Sequence, residues 1–289
     1  MKILVIGNGF LATPIIRRLE SEGNELLVFS RKQNFGIRSQ QVLGDIFDYE
    51  NFLKVLEWRP QIVIHTAWIT TPNLYKSDTS NFEYADFTSK LAQSLLNSKL
   101  EHLVILGTCA EYSQKIESNL EGVDNLSPST LYVEQKIQAF NSVKSILQGS
   151  KIRFTWARVF FPYGADQHPL RLIPSLINSL KSGEPLILAD TSSIYDWIST
   201  RDVASAISWI ISHELKSEVD VGTSVGYTNL EILFTLEEIL GIVHKEVPGK
   251  PHGFGLNQTL IASKDSSLLS SGWIPNDSLG SGLKWVLSS

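Results

Sequence analysis

The chain opens Met1-Lys2-Ile3-Leu4-Val5-Ile6-Gly7-Asn8-Gly9-Phe10-Leu11-Ala12, and this stretch decides how the rest is read. The apolar run at 3–6 is too short for a helix and stops at a glycine, which marks a buried strand. Residues 11–22 follow as an amphipathic helix. Gly7 permits the tight turn between them, and Gly9 lets the backbone approach a pyrophosphate. Ala12 stands where the helix must pack closely on the strand. Amides at a helix start attract such an anion. A Gly-x-Gly-x-x-Ala string alone carries little weight. Placed after a first strand and before a first helix, it predicts a dinucleotide held by Gly7, Asn8, Gly9, Phe10 and Leu11.

Working outward, short apolar runs alternate with amphipathic stretches. Strands are expected near 26–29, 42–43, 61–65, 103–106 and 153–159, with helices near 52–57, 82–96 and 131–147. That alternation predicts parallel βαβ units, an α/β fold with a doubly wound parallel sheet. After Val159 the rhythm changes, with Pro162, Gly164, Pro169, Pro174 and Pro185 as punctuation. Helices are expected at 173–180 and 203–212, and Thr228 with Glu231 forms a capping-box pattern for a third through residue 240. The division expected is a dinucleotide-binding Rossmann domain at 1–160 and a smaller substrate-binding lobe at 161–289. Part of that lobe returns to the main sheet.

The end of the second strand bears on the cofactor. An acidic residue there would hold the ribose hydroxyls of NAD, but the chain reads Phe29-Ser30-Arg31-Lys32. Arg31, with Ser30 and Lys32, suits the 2′-phosphate of NADP, so NADP(H) is favoured and NAD(H) possible. Asp45, after the third strand, is placed to accept from an adenine amino group. His65 and Ala67, after the fourth, would line the cofactor; His65 reads equally as a buried core histidine.

Tyr132 and Lys136 lie four apart on one expected helix and so share a face. An ammonium beside a phenol favours the phenolate, which allows proton exchange near neutral pH. Thr108, ending the fifth strand, would hydrogen-bond the same carbonyl oxygen.

Here the sequence resembles the extended short-chain dehydrogenase/reductases of the NAD-dependent epimerase/dehydratase family, over essentially its whole length. The resemblance rests on residues 7–12, Gly107-Thr108-Cys109-Ala110-Glu111-Tyr112, the Tyr132–Lys136 pair, Arg158-Val159-Phe160-Phe161-Pro162-Tyr163-Gly164, Arg171-Leu172-Ile173-Pro174, Asp196-Trp197-Ile198 and Asp202-Val203-Ala204. It implies a catalytic triad of Thr108, Tyr132 and Lys136, and cofactor contacts from Ile46, Lys136 and Val159. It implies substrate contacts from the 158–174 segment, with Trp68, Cys109, Phe160, Phe161, His168, Arg171 and Trp197 as candidates. A nucleotide-diphosphate sugar is the implied substrate. A homodimer through helices near 82–96 and 131–147 is also implied. The chain departs from the family at three points. Its glycine loop is one residue shorter than the commonest form. Cys109-Ala110 replace the Asp-Glu of sugar 4,6-dehydratases, which argues against water elimination. Tyr195 stands where an arginine often holds the diphosphate, leaving Arg171 or Arg201 to substitute. The reaction favoured is an NADPH-dependent 4-keto-sugar reduction, on the strength of Arg31. The alternative is a nucleotide-sugar epimerase that retains its NAD(P).

Other classes fare less well. The chain has 289 residues and a formal net charge of -5, and its charges are scattered, so neither nucleic acid nor a membrane surface is an expected partner. The first apolar run breaks too early for a signal peptide, and the lone Cys109 excludes an internal disulfide; both fit the cytoplasm. The histidines and the cysteine show no metal-ligand spacing, so no metal is expected. A non-catalytic cofactor sensor would not need both Tyr132 and Lys136. Gly222-Thr223-Ser224-Val225-Gly226 matches a serine-hydrolase string, yet its helix start signal, Thr228, comes too late for a nucleophile elbow. Trp58, Trp209 and Trp285 read as core, and Trp68 and Trp197 as loop residues near the cleft.

Overall fold

The computed structural model describes residues 1–112, 126–184, 188, 190–242 and 258–289. In chain order its elements are β1 (Lys2–Ile6), α1 (Ala12–Ser21), β2 (Glu25–Ser30), β3 (Gln40–Leu43), α2 (Tyr49–Leu56), β4 (Ile62–His65), α3 (Ser80–Leu95), β5 (His102–Thr108), α4 (Leu131–Ile146) and β6 (Arg153–Val159). They continue as β7 (Phe161–Tyr163), α5 (Leu172–Ser182), β8 (Ile194–Ser199), α6 (Thr200–Ser212), β9 (Ser217–Val221), β10 (Gly226–Thr228), α7 (Asn229–Leu240), β11 (Thr259–Leu260), α8 (Ser267–Ser270) and α9 (Leu279–Ser288).

Seven strands form one parallel sheet in the order β3-β2-β1-β4-β5-β6-β9. The strands are apolar on both faces because helices cover both. On one side the core joins Ile3 and Val5 of β1 to Ile15, Ile16 and Leu19 of α1, and to Val203, Ile207 and Ile210 of α6. On the other, Leu4 and Ile6 pack with Phe52 of α2, Phe87 and Leu91 of α3 and Phe140 and Val143 of α4. The α1 stripe at 12, 15, 16 and 19 is fully buried. Each isoleucine or leucine in it contributes about 1.5–3 kcal/mol of burial. Pro14 is tolerated because it lies in the first turn, where its missing N–H has no intrahelical partner.

Chain order reverses between β1 and β4, the switch point at which open α/β sheets bind ligands. The two strand ends are laced there: Thr66 gives both its amide (3.0 Å) and its hydroxyl (2.8 Å) to the Ile6 carbonyl.

The later residues build a second sheet, in which β8 pairs β10 antiparallel and both β11 and β7 parallel. β9 leaves this region and adds to the edge of the main sheet beside β6. Trp197 lies on β8, not on a loop, because the apolar run around it pairs with β7. Thr228 and Glu231 make the capping box that starts α7. The Ser224 loop runs into the short β10 before that helix, so no elbow forms. Asp196 clasps the loop by accepting from the Thr223 and Ser224 amides, and the Ser224 hydroxyl donates to the Ala262 carbonyl. His244, His252 and Pro185 lie outside the described residues.

Candidate active site

The glycine turn is built as its sequence requires. Gly7 has φ +107°, and a Cβ there would fall 2.4 Å from Thr66 Oγ1, so no other residue fits without displacing the switch point. The Gly7 amide donates to Phe29 O at 2.8 Å. Above Gly9 the space is open, a gap that a side chain would fill. The α1 N-terminus carries no side-chain cap and no acidic residue in its first turn. Its dipole and free amides are therefore left to an outside anion. Open backbone, an uncapped helix and the switch point together fit a dinucleotide pyrophosphate.

At the end of β2, Ser30 is buried and its hydroxyl donates to Lys32 O at 2.8 Å. Asn8 donates to the same carbonyl, and Asn34 donates to Thr13 Oγ1. Ser30 and Asn8 thus staple the turn and do not point outward as free ligand donors. Arg31 and Lys32 are exposed. Asp45 holds its own turn through the Phe47 amide (3.1 Å), with Ile46 buried behind it.

His65 is in the core. Its Nε2 meets Thr88 Oγ1 at 3.1 Å and its ring lies edge-on to Phe87. Burial, aided by the Lys136 charge, lowers it to about 3, so it stays neutral. This departs from a cofactor-lining role: the strand's alternation turns residue 65 inward. Ala67 lies beside the Gly7 turn.

Thr108, Tyr132 and Lys136 converge at the carboxyl end of β5. The half-buried Tyr132 phenol lies beside the Thr108 side chain. Thr108 accepts from the Ala110 amide at 3.2 Å. Lys136 is buried, donates to Leu106 O at 2.7 Å and sits 3.8 Å from the Trp68 ring centroid. Burial lowers its ammonium to about 7, against the opposing pull of Glu111. Burial, then Glu111 and Tyr75, push the Tyr132 phenol well above its usual range. The expected lowering of Tyr132 by Lys136 is therefore corrected: the ammonium is spent on a carbonyl and an indole face.

The substrate candidates divide. Trp68 is no free platform. It stacks on Tyr84 at 5.5 Å and donates to Asn81 Oδ1 at 2.8 Å, forming the seat of Lys136. Cys109 and Phe160 are buried, and burial raises the Cys109 thiol well above its usual range. Arg158, expected among the substrate contacts, has no exposed surface; the β-strand alternation faces it into the protein, onto Glu111. Arg201 is held by Asp277 at 3.0 Å and cannot replace the missing diphosphate arginine. The exposed His168 is a turn residue, its Nδ1 accepting from the Leu170 amide. Phe161, Tyr195 and Trp197 form an aromatic cluster, the first two with centroids 4.2 Å apart. The Tyr195 hydroxyl donates to Asp190 Oδ2. Arg171 crosses to the segment after β4, donating to Thr70 O at 2.8 Å and lying over the Tyr75 ring. Tyr75 in turn lies edge-on to Tyr132 with centroids 5.0 Å apart. Sequence reading passed over Tyr75, which forms no local pattern with the residues it touches, and gave no role to Glu111, although its capping-box spacing from Thr108 was a signal that could have found it.

The sequence profile of the NAD dependent epimerase/dehydratase family matches residues 3–222. The UDP-glucose 4-epimerase of Lactobacillus helveticus is 24% identical over 320 aligned residues, covering 99% of this chain and 97% of that one. A dTDP-glucose 4,6-dehydratase of Neisseria gonorrhoeae is 26% identical over 195 residues, covering 60% and 56%. Among solved structures, the UDP-N-acetylglucosamine 4-epimerase from Bacillus cereus superposes with a TM-score of 0.85 at 15% identity, covering 99% of this chain and 98% of that one. MoeE5 in complex with UDP-glucuronic acid and NAD gives 0.83 at 20% identity, covering 100% and 98%.

Proposed function

The chain belongs to the NAD dependent epimerase/dehydratase family, and from that premise we propose that it is a nucleotide-diphosphate-sugar epimerase of the short-chain dehydrogenase/reductase type. The observation that carries the reading is the meeting of Thr108, Tyr132 and Lys136 at the end of β5, on the sheet edge that also bears the Gly7–Gly9 turn. When bound, a nicotinamide dinucleotide supplies the hydride acceptor and donor. The residues to hold it are the 7–11 turn, Arg31, Asp45, Ala67 and Lys136.

Tyr132 is the proton-handling group. Burial and Glu111 favour the neutral phenol, which gives a proton to the keto oxygen as the sugar is reduced; the phenolate takes that proton from the hydroxyl as the sugar is oxidised, so it is returned in each cycle. Thr108 orients that oxygen by a hydrogen bond. Lys136, near 7, moves its charge with small changes around it. Arg171 is the cation left at the cleft for the diphosphate. Cys109 is a buried thiol and Ala110 cannot ionise, so neither brings the acid or base of a 4,6-dehydratase.

The near end-to-end alignment with a UDP-glucose 4-epimerase supports epimerisation over the reductase that Arg31 suggested. The reductase stays as a second reading on one observation: β2 runs out into exposed Arg31 and Lys32, with no carboxylate at its end. NADP(H) preference belongs to that same observation, and the division into a 1–160 dinucleotide domain and a 161–289 lobe is likewise our proposal. So is a homodimer. The outward faces of α3 and α4 carry polar residues such as Glu83, Asp86, Lys90, Glu134 and Gln138 together with the exposed Phe82, so an interface there would set an apolar side chain among polar ones. Among the described residues no helix is long and apolar enough to cross a membrane.

The deciding experiment incubates purified protein with UDP-glucose and UDP-N-acetylglucosamine, follows C4 inversion by proton NMR, and assays the released dinucleotide. Inversion with a retained dinucleotide supports the epimerase. Stoichiometric NADPH consumption by a 4-keto sugar, without inversion, favours the reductase. Tyr132→Phe with undiminished turnover overturns both.

A further inference from the structure

We propose that Glu111 is a positioning residue of this site: a buried carboxylate that fixes Thr108 through its backbone amide and ties the end of β5 to β6. The inference rests on the reading of Thr108, Tyr132 and Lys136 as the reacting groups.

Neither Glu111 nor Arg158 has any exposed surface. Three donors from three places close on the one carboxylate. The Thr108 amide reaches Oε1 at 2.8 Å, Trp156 Nε1 reaches Oε2 at 2.9 Å, and Arg158 Nε reaches Oε2 at 2.8 Å. The backbone is shaped to admit them. A Cβ on Gly107 would fall 2.2 Å from Trp156 Nε1 and 2.9 Å from Glu111 Oε1. Gly107 pairs in register with Arg158, and Thr108 with Val159, so the carboxylate bridges the last two rungs of the β5–β6 ladder. The exchange is reciprocal, since the turn that carries Glu111 is capped by the Thr108 side chain.

Stability does not account for such a group. A buried ion pair is often no better than apolar side chains of the same volume, because desolvation cancels the attraction. What this pair does that apolar residues cannot is hold the Thr108 amide, and with it the direction of the Thr108 hydroxyl. Arg158 is the counter-ion, steadied by the Tyr112 and Phe140 rings.

The carboxylate also sets the local field. Facing it and the reacting pair are Tyr132 and Lys136 from α4, Arg158 from β6, and Asp220 and Glu218 from β9. With them are Cys109 from the turn, Tyr112 just after it, Tyr75 from the segment after β4 and His65 from β4. Glu111 opposes ionisation of Tyr132 and favours the ammonium of Lys136. Its neutralisation moves both titrations to lower pH.

The test combines Glu111→Gln, Thr108→Val and their double variant with a charge-neutral Glu111→Leu/Arg158→Met pair, which removes both partners of the buried ion pair should Glu111→Gln fail to fold. Dinucleotide affinity is read by fluorescence titration, turnover with UDP-glucose, and the Thr108 amide by ¹⁵N NMR exchange. Expected for Glu111→Gln are dinucleotide affinity within about twofold of wild type, kcat down on the order of tenfold or more with KM little changed, and any ionisation limb of the pH–rate profile moved to lower pH. The double variant should be no slower than Thr108→Val alone, since both remove one oriented hydroxyl. The Thr108 amide should lose its protection in Glu111→Leu/Arg158→Met, which removes its side-chain acceptor. Additive losses, wild-type kcat in the charge-neutral pair, or a Thr108 amide unaltered in that pair overturn the proposal. A wild-type protein that turns over no nucleotide sugar refutes the proposed function; the Thr108 amide then decides the role of Glu111 by itself.

Discussion

Two buried histidines make the acid stability of this protein calculable. His65 Nε2 faces Thr88 Oγ1 at 3.1 Å, and His102 Nε2 faces Thr155 Oγ1 at 2.7 Å. Each threonine hydroxyl already donates to a carbonyl, Tyr84 O or Leu215 O. Both imidazoles therefore donate through Nε2, and neither Nδ1 atom has a partner among the described residues. Burial, with Lys136 beside His65 and Arg153 beside His102, lowers them from 6.5 to about 3 and about 4. A folded value below the unfolded one means that the contribution is complete above pH 6.5 and is lost as pH falls toward the folded values. At pH 5 each unfolded imidazole is protonated while its folded counterpart is not. At about 1.4 kcal/mol per pH unit over 1.5 units, each costs about 2 kcal/mol, and the pair about 4 kcal/mol. The variant His65→Leu/His102→Leu removes both titrations without stranding Thr88 or Thr155. Urea unfolding followed by tryptophan fluorescence at pH 8 and pH 5 should give the wild type a stability fall about 4 kcal/mol greater than that of the variant. Equal falls would show that these rings are not held neutral by burial, and the argument would fail.

Gly7→Ala places a Cβ 2.4 Å from Thr66 Oγ1 at a φ of +107°, and should weaken dinucleotide binding about tenfold or more in a fluorescence titration. Unchanged affinity would remove the turn from the cofactor site. Tyr132→Phe should lower kcat by about 10²–10⁴-fold, the usual worth of a positioned acid–base group, while dinucleotide affinity holds steady. Arg31→Asp should weaken NADPH more than NADH in parallel titrations; equal losses contradict the 2′-phosphate reading of that loop.

The sheet was legible because its determinants are local. A run such as Ile3-Leu4-Val5-Ile6 closed by Gly7 announces a strand and its end, and the Thr228–Glu231 cap announces a helix start three residues apart. Tyr132 and Lys136 were legible for the same reason: helical spacing alone puts them together. The partners that set their chemistry were not. Lys136 rests on Trp68 and Leu106, and Glu111 on Trp156 and Arg158, pairings made by strand order and register and not by any nearby pattern. The electrostatics followed suit. A lysine one turn from a tyrosine was read as its activator, yet the fold aims that ammonium elsewhere. Ser30 was misjudged similarly, since nothing in Phe29-Ser30-Arg31-Lys32 announces that the hydroxyl folds back on Lys32.

The placement of β9 bears on any attempt to take the molecule apart. Because the strand beside β6 comes from residues 217–221, the second sheet draws its strands from both sides of β9 in the chain, β7 and β8 before it and β10 and β11 after it. A truncation after residue 160 would amputate that strand, leave the β6 backbone as a raw hydrogen-bonding rim and uncover the wall that Val219 and Val221 complete. It would also rob Arg158 of Glu218. Such a fragment should aggregate. Chimaeras with exchanged specificity would have to keep α6 and β9 with the main sheet while trading β7 and β8 before them and β10 and β11 after them.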